Sequence, residues 1–299
     1  MSLASLNIFP NEHYISWFVR SSQFRAYPEF KHYLTSNQID SETFKAYEVI
    51  HPSVKSFLQW FGQTDSLLRE HTLFPLWQIS VAHELDHKKL LKNSFLDLHH
   101  SNGEKTLFQF DRSWHSCPTC RKENIDSFGT SYWHTQHQIP SVYKCYKHNT
   151  MLEKAKYPVV DLKTGVLPHQ VKKWCNLLEA ETPELGKWQN FLYSIQEKLM
   201  KNSLPFIEIK NRITTALGMN NIANYQFKQH IDELTFKLEN ELPRELLAYL
   251  YTDYARASNK GNPKVIGNLY RGINNPYKIR SPIHWILLGY WLFPDELTT

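Results

Sequence analysis

Long hydrophobic runs are missing from this 299-residue chain: the longest apolar stretch, residues 285–293, is far too short to span a bilayer. The first ten residues carry no positive n-region and no apolar core, so no secretory signal is expected. Glycine is scarce, at ten residues, while aromatics make up 14%, a balance that argues against disorder. Neither charge sign dominates. With 34 basic and 29 acidic residues the net charge of +5 cannot by itself argue for nucleic acid. No P-loop and no G-x-S-x-G occurs, which removes the commonest phosphate cradle and the serine-hydrolase elbow. Cysteine is limited to four residues, three of them in two tight knuckles, so metal ligation accounts for them better than disulfides and a reducing cytoplasm is expected.

What is present centres on those knuckles. Cys117-Pro118-Thr119-Cys120 is followed after 24 residues by Cys145-Tyr146-Lys147-His148. Two C-x2-C/H pairs supply four ligands of the kind that satisfy zinc(II) tetrahedrally, with no position left for water or substrate. One structural Zn2+ held by Cys117, Cys120, Cys145 and His148 is therefore expected. The remaining cysteine, Cys175, lies beside Trp174, Leu177 and Leu178 at helical spacing and is expected to be a buried, inert thiol.

Length predicts one large or two modest domains. The expected fold is mainly α: a helical N-terminal part over residues 1–103, a small Cys3His zinc-finger module over 104–156, a linker over 157–185, and a helical C-terminal domain over 186–299. In the first part, Pro10-Asn11-Glu12 offers an N-cap and an acidic first turn ahead of Tyr14, Ile15, Phe18 and Val19. Val54, Phe57, Leu58 and Phe61 repeat at i, i+3, i+4, i+7, and Leu91, Phe95 and Leu98 share a face. From Glu104 the periodicity fades, as suits a module whose core is partly replaced by metal. Helices resume after Leu185-Gly186. Pro243 opens a stretch with Leu246, Leu247 and Leu250; Asn262-Pro263 opens one with Val265, Ile266 and Leu269; Ser281-Pro282 caps a third with Ile283, Ile286, Leu287 and Tyr290. These three fit a helix-turn-helix and a generic helical bundle equally well. In the former, Lys264, Asn268, Tyr270 and Arg271 face outward from the middle helix, with Lys264, Asn268 and Arg271 as base-reading candidates.

Basic residues are concentrated in and after the zinc segment, among them Arg121, Lys122, Lys144 and Lys147. A solvated face and a phosphate-contacting surface both account for such a run. One enzyme pattern exists: His83-Glu84-Leu85-Asp86-His87 matches H-E-x-x-H, the signature of a zinc metalloprotease. No third ligand follows at metzincin spacing, and the polar first turns of the helix bearing Leu91 and Phe95 explain the segment more simply.

The zinc segment resembles a known family. The string Cys117-Pro118-Thr119-Cys120, then Gly129 and Tyr132-Trp133-His134, then His137-Gln138-Ile139-Pro140, then Cys145 to His148 and Leu152, is similar to the zinc module of the TniQ/TnsD family of transposon target-selection proteins. Pro10-Asn11-Glu12 with Ser16-Trp17-Phe18-Val19-Arg20 resembles the family's N-terminal helix, and His71-Thr72-Leu73-Phe74-Pro75 its His-Thr-x-x-Pro element. Arg280-Ser281-Pro282-Ile283-His284 resembles a helical stretch of the longer TnsD members. The resemblance implies a protein without chemistry of its own that marks an insertion site on double-stranded DNA and recruits an AAA+ ATPase of the TnsC type. It equally allows an adaptor, often dimeric, seated on an RNA-guided CRISPR effector complex, with little sequence specificity of its own. Transposase and ATPase would then be partners. The module would let Tyr132, Trp133, His134 and His137 brace the N-terminal helices.

Overall fold

The computed structural model describes residues 7–39, 64–80, 108–111, 113–155, 165–201, 206–219, 226–255, 269–270 and 281–297. Outside them lie the expected apolar repeats of residues 54–61 and 91–98, the His83-Glu84-His87 pattern, and Lys264, Asn268 and Arg271 of the presumed middle C-terminal helix. Leu269 and Tyr270 of that stretch are helical and buried, and Tyr270, expected to face outward, instead points inward and donates its hydroxyl to the Leu234 carbonyl at 3.1 Å. The described residues are mainly helical, as expected, with one small three-stranded antiparallel sheet. None of their helices is long and apolar enough to cross a membrane.

The chain divides into two compact units, Met1–Phe74 with Asp111–Ala180, and Pro75–Phe110 with Glu181–Thr299. In the first, the N-terminal helix Tyr14–Phe24 buries Tyr14, Ile15, Phe18 and Val19 as their spacing predicts. Its start differs from expectation. The N-cap is His13, whose Nδ1 accepts the Ile15 amide at 3.3 Å. Asn11 has a positive φ of 57°, so the chain turns sharply before the helix and Glu12 points inward instead of sitting in the first turn. The following helix, Phe30–Ser36, packs through Phe30 and Tyr33. Gly165, at φ +63°, fits against it because a Cβ there would stand 2.5 Å from that of Phe30.

The sheet joins β1 (His115–Ser116), β2 (Glu153–Ala155) and β3 (Trp174–Asn176), pairing Ser116 with Glu153 and Lys154 with Cys175. Cys175 is thus a half-buried strand residue, not the helical one its neighbours suggested; β-pairing to residues about twenty positions away overrides local spacing.

In the second unit the helix Pro183–Met200 presents Leu185, Trp188, Leu192, Ile195 and Leu199 as one buried stripe. It begins three residues before Gly186, with Thr182 accepting the Leu185 amide, so Leu185-Gly186 is not a break. Helices Arg244–Leu250 and Pro282–Leu292 pack on it, the latter apolar on all sides and buried through Ile283, Ile286 and Leu287 as predicted. Trp188 and Phe191 meet the edge of Tyr290 at 5.6 and 5.1 Å.

Candidate metal centre

Local backbone rules build both knuckles. Pro118 stands at the first position of the helix Pro118–Phe128, where a missing N–H costs nothing, and Cys117 is its N-cap. One helical turn later Cys120 returns to the same face, with the Arg121 amide bonded to the Cys117 carbonyl at 3.0 Å. Gly129 ends the helix in the left-handed region at φ +69°. The second knuckle is a tight hairpin: Lys144 bridges Met151, the Cys145 amide bonds the Thr150 carbonyl, and Asn149, at φ 52°, closes onto the Cys145 carbonyl, both at 2.8 Å.

The four predicted ligand atoms all lie within 4.8 Å of one another. His148 Nδ1 is 3.5, 3.3 and 3.6 Å from the sulfurs of Cys117, Cys120 and Cys145, and the Cys120 and Cys145 sulfurs are 3.7 Å apart. A tetrahedral ion with bonds of about 2.3 Å to sulfur and 2.0–2.1 Å to nitrogen sets ligand separations of about 3.8 and 3.5 Å. The cluster fits such an ion. Its electrostatics also call for one: hydrogen bonds from Cys120 and Cys145 hold the Cys117 thiol far below its ordinary range, while the same interaction with Cys117, reinforced by Cys145 and burial, pushes Cys120 up. One thiolate is therefore easy to form and three are not, unless a cation joins them.

Residues that spacing did not single out surround the four. The Thr150 hydroxyl is 3.1 Å from Cys117 Sγ, and the Cys120 and His148 backbone amides bond Cys117 and Cys145. Glu123 reaches His148 Nε2 with one oxygen, at 3.0 Å, and Lys147 with the other, at 2.6 Å. Glu123 follows Cys120 by one helical turn, and that i, i+3 relation is the sequence signal by which it could have been found.

The expected brace is present. Glu12 and His134 form an antiparallel bridge, flanked by His13 N–H to the Trp133 carbonyl and Thr135 N–H to the Asn11 carbonyl, both at 2.8 Å. Ser16 Oγ accepts the Trp133 amide at 2.9 Å, and the Tyr132 hydroxyl donates to the Pro10 carbonyl at 3.1 Å. His134 stacks on Tyr132 and bonds Asn124 of the knuckle helix at 2.8 Å. His137 Nε2 lies 3.9 Å from Cys120 Sγ. The fully buried Glu12 receives Arg20 through both oxygens, at 3.1 and 2.8 Å, while His71 Nδ1 bonds the Glu12 carbonyl at 2.7 Å. The Trp-His pair, the Pro-Asn-Glu turn, Arg20 and His71 are thus one hydrogen-bonded assembly.

Burial holds His13 neutral, with its pKa pushed down to about 3 and His71 a lesser cause; its Nε2 has no partner among the described residues. Between pH 6.5 and about 3 the unfolded chain binds a proton at this position that the folded chain does not, so stability falls with pH by about 1.4 kcal/mol per unit on account of His13. His13→Asn keeps an N-cap acceptor without the titration. Its unfolding free energy should lose about 1.4 kcal/mol per unit less than the native chain between pH 6 and 4, with the acid lability of the metal cluster common to both. Denaturant melts across that range check this.

Of the four basic candidates near the knuckles, Arg121 is turned inward: it pairs with Glu153 and lies over the Trp174 ring at 4.0 Å. Lys122 is exposed, Lys144 half-buried beside Cys145, and Lys147 exposed but held by Glu123. Lys122, Lys144 and Lys147 thus keep access to solvent on the module, while Lys264, Asn268 and Arg271 lie outside the described residues.

In comparison with known proteins, no curated protein matches the chain. The family model TniQ matches residues 4–152, a span that runs from the turn before the N-terminal helix to the end of the second knuckle and takes in the brace and all four clustered ligands. Residues 4–152 are thus similar to the TniQ family.

Proposed function

We propose that this protein is a non-catalytic target-selection factor of transposition, which marks an insertion site on double-stranded DNA and recruits an AAA+ regulator of the TnsC type. The observation that carries the reading is the similarity of residues 4–152 to the TniQ family, with a closed Cys3His cluster inside that span. Zinc bound by Cys117, Cys120, Cys145 and His148 would supply a cross-link and no reaction, because four protein ligands complete its coordination. The surrounding residues convert that cross-link into a rigid platform through Trp133 and His134, which tie the N-terminal turn to the knuckle helix.

On that platform Lys122, Lys144 and Lys147 would contact phosphates, which fix register without reading sequence. Arg121 is committed to Glu153 and Trp174 and supports the sheet. Base reading, in this proposal, falls to Lys264, Asn268 and Arg271. Charge reversal at Lys122, Lys144 and Lys147 should flatten the dependence of log affinity on log salt by about 0.9 for each phosphate no longer neutralised, and fluorescence anisotropy on duplex DNA measures it. An unchanged slope would remove the module from the DNA interface. Purification of the tagged chain together with the other proteins of its element tests the larger reading. Recovery of the ATPase with duplex DNA supports it; recovery of a guide RNA and its effector proteins would replace it with the adaptor role.

A further inference from the structure

We propose that Glu123 is the positioning residue of the metal centre: its carboxylate sets His148 in the Nε2-protonated tautomer and so presents the Nδ1 lone pair to the three sulfurs. The inference rests on the metal reading above and adds to it a residue outside the ligand set.

The geometry is specific. A neutral imidazole carries one ring proton, and an ionised carboxylate can only accept. Glu123 Oε1 is 3.0 Å from His148 Nε2, so the proton belongs on Nε2. Nδ1 is left bare, facing Cys117, Cys120 and Cys145 at 3.5, 3.3 and 3.6 Å. Without the carboxylate the opposite tautomer becomes available. Its Nδ1–H would donate to a thiolate and occupy the direction that an ion must use.

Glu123 is well placed to resist that exchange. It sits on the same helix as Cys120, one turn on, so a ligand and its orienting group are carried by one rigid element. Its second oxygen holds Lys147 at 2.6 Å, and Lys147 directly precedes His148. The carboxylate therefore grips two consecutive residues of the second knuckle from the first, and joins the knuckles independently of any metal. A carboxylate on the distal nitrogen also makes the imidazole a more basic ligand.

The test compares Glu123→Ala, Glu123→Gln and, on the same helix, the exposed Asp126→Ala, each loaded with zinc and challenged with a colorimetric chelator. Loss of such an orienting group typically costs about 10–100-fold in metal hold, so Glu123→Ala should release zinc about 10–100 times faster than the native chain. Glu123→Gln, whose amide oxygen still accepts Nε2–H, should recover part of that difference, and Asp126→Ala should match the native rate. In the native zinc-loaded chain, 15N spectra of the His148 ring should show a protonated Nε2. Native-rate release from Glu123→Ala, or a glutamine variant no slower than the alanine one, would overturn the proposal. Should Glu123→Ala not fold, the glutamine variant still decides it, since zinc release at the native rate would overturn the proposal, as would a native 15N spectrum with Nε2 bound and Nδ1 protonated. A native chain that purifies without any metal is a different failure, that of the zinc reading itself.

Discussion

Cys145→Ser is expected to strip the metal from the protein and to melt the knuckle region at temperatures where the native chain is folded. A serine hydroxyl does not deprotonate at neutral pH and is a poor partner for a soft-to-borderline ion, so the site falls to three ligands. Structural zinc contributes about 10–16 kcal/mol in small modules, as much as the whole stability of an ordinary domain. The effect should spread beyond the knuckles, because the knuckle helix holds His134 through Asn124, and His134 pairs with Glu12. Cys117→Ser should behave alike, whereas Cys175→Ser, on β3 and outside the cluster, should keep full metal content. Metal stoichiometry and a thermal melt on the same samples are sufficient. Retained metal with an unchanged Tm would remove the zinc reading.

The second large effect is expected at Trp133. Its side chain is fully buried, packs against Trp114 at 5.6 Å and Trp174 at 5.9 Å, and donates Nε1–H to the Val166 carbonyl at 2.9 Å. Its backbone meets Ser16 and His13. Trp133→Ala leaves a cavity where the N-terminal turn, the sheet and the loop at Val166 converge, and should cost about 3–5 kcal/mol. Trp133→Phe keeps most of the packing and leaves the Val166 carbonyl without its donor, a loss of about 1–3 kcal/mol. Since Trp133 is not one of the four ligands, both variants should still bind one equivalent of metal. Denaturant melts together with metal analysis separate loss of packing from loss of the centre. A Trp133→Ala variant as stable as the native chain would mean that the brace does not hold the unit together.

A second, charged element of the same brace explains why Glu12 departs from what its neighbours suggest. Glu12 precedes a helix, where an acidic residue ordinarily sits in solvent and favours the helix dipole. In the structure it is buried, and the Arg20 guanidinium neutralises it from two turns along that helix while lying over the Phe9 ring at 3.8 Å. Nothing in an eight-residue separation announces such a pair. The same holds for Arg121, whose place in a basic run suggests a phosphate contact, whereas strand pairing brings Glu153 and Trp174 beside it.

What the sequence determined by itself is whatever depends on short-range chemistry. Ligand type and the C-x2-C/H spacing are enough to bring Cys117, Cys120, Cys145 and His148 together, because each knuckle is a local turn and only one loop must close between them. Apolar periodicity was likewise enough for the helices that bury Tyr14 to Val19, Leu246 to Leu250 and Ile283 to Leu287, since a 3.6-residue repeat needs no knowledge of its partner. The tertiary structure alone decided which polar groups share a hydrogen bond across the chain: His13 with Trp133, Glu12 with Arg20 and His134, Arg121 with Glu153, and Glu123 with His148. Those choices follow from where buried donors and acceptors must find partners once water is excluded, a requirement of the whole packed unit that no short stretch of residues encodes.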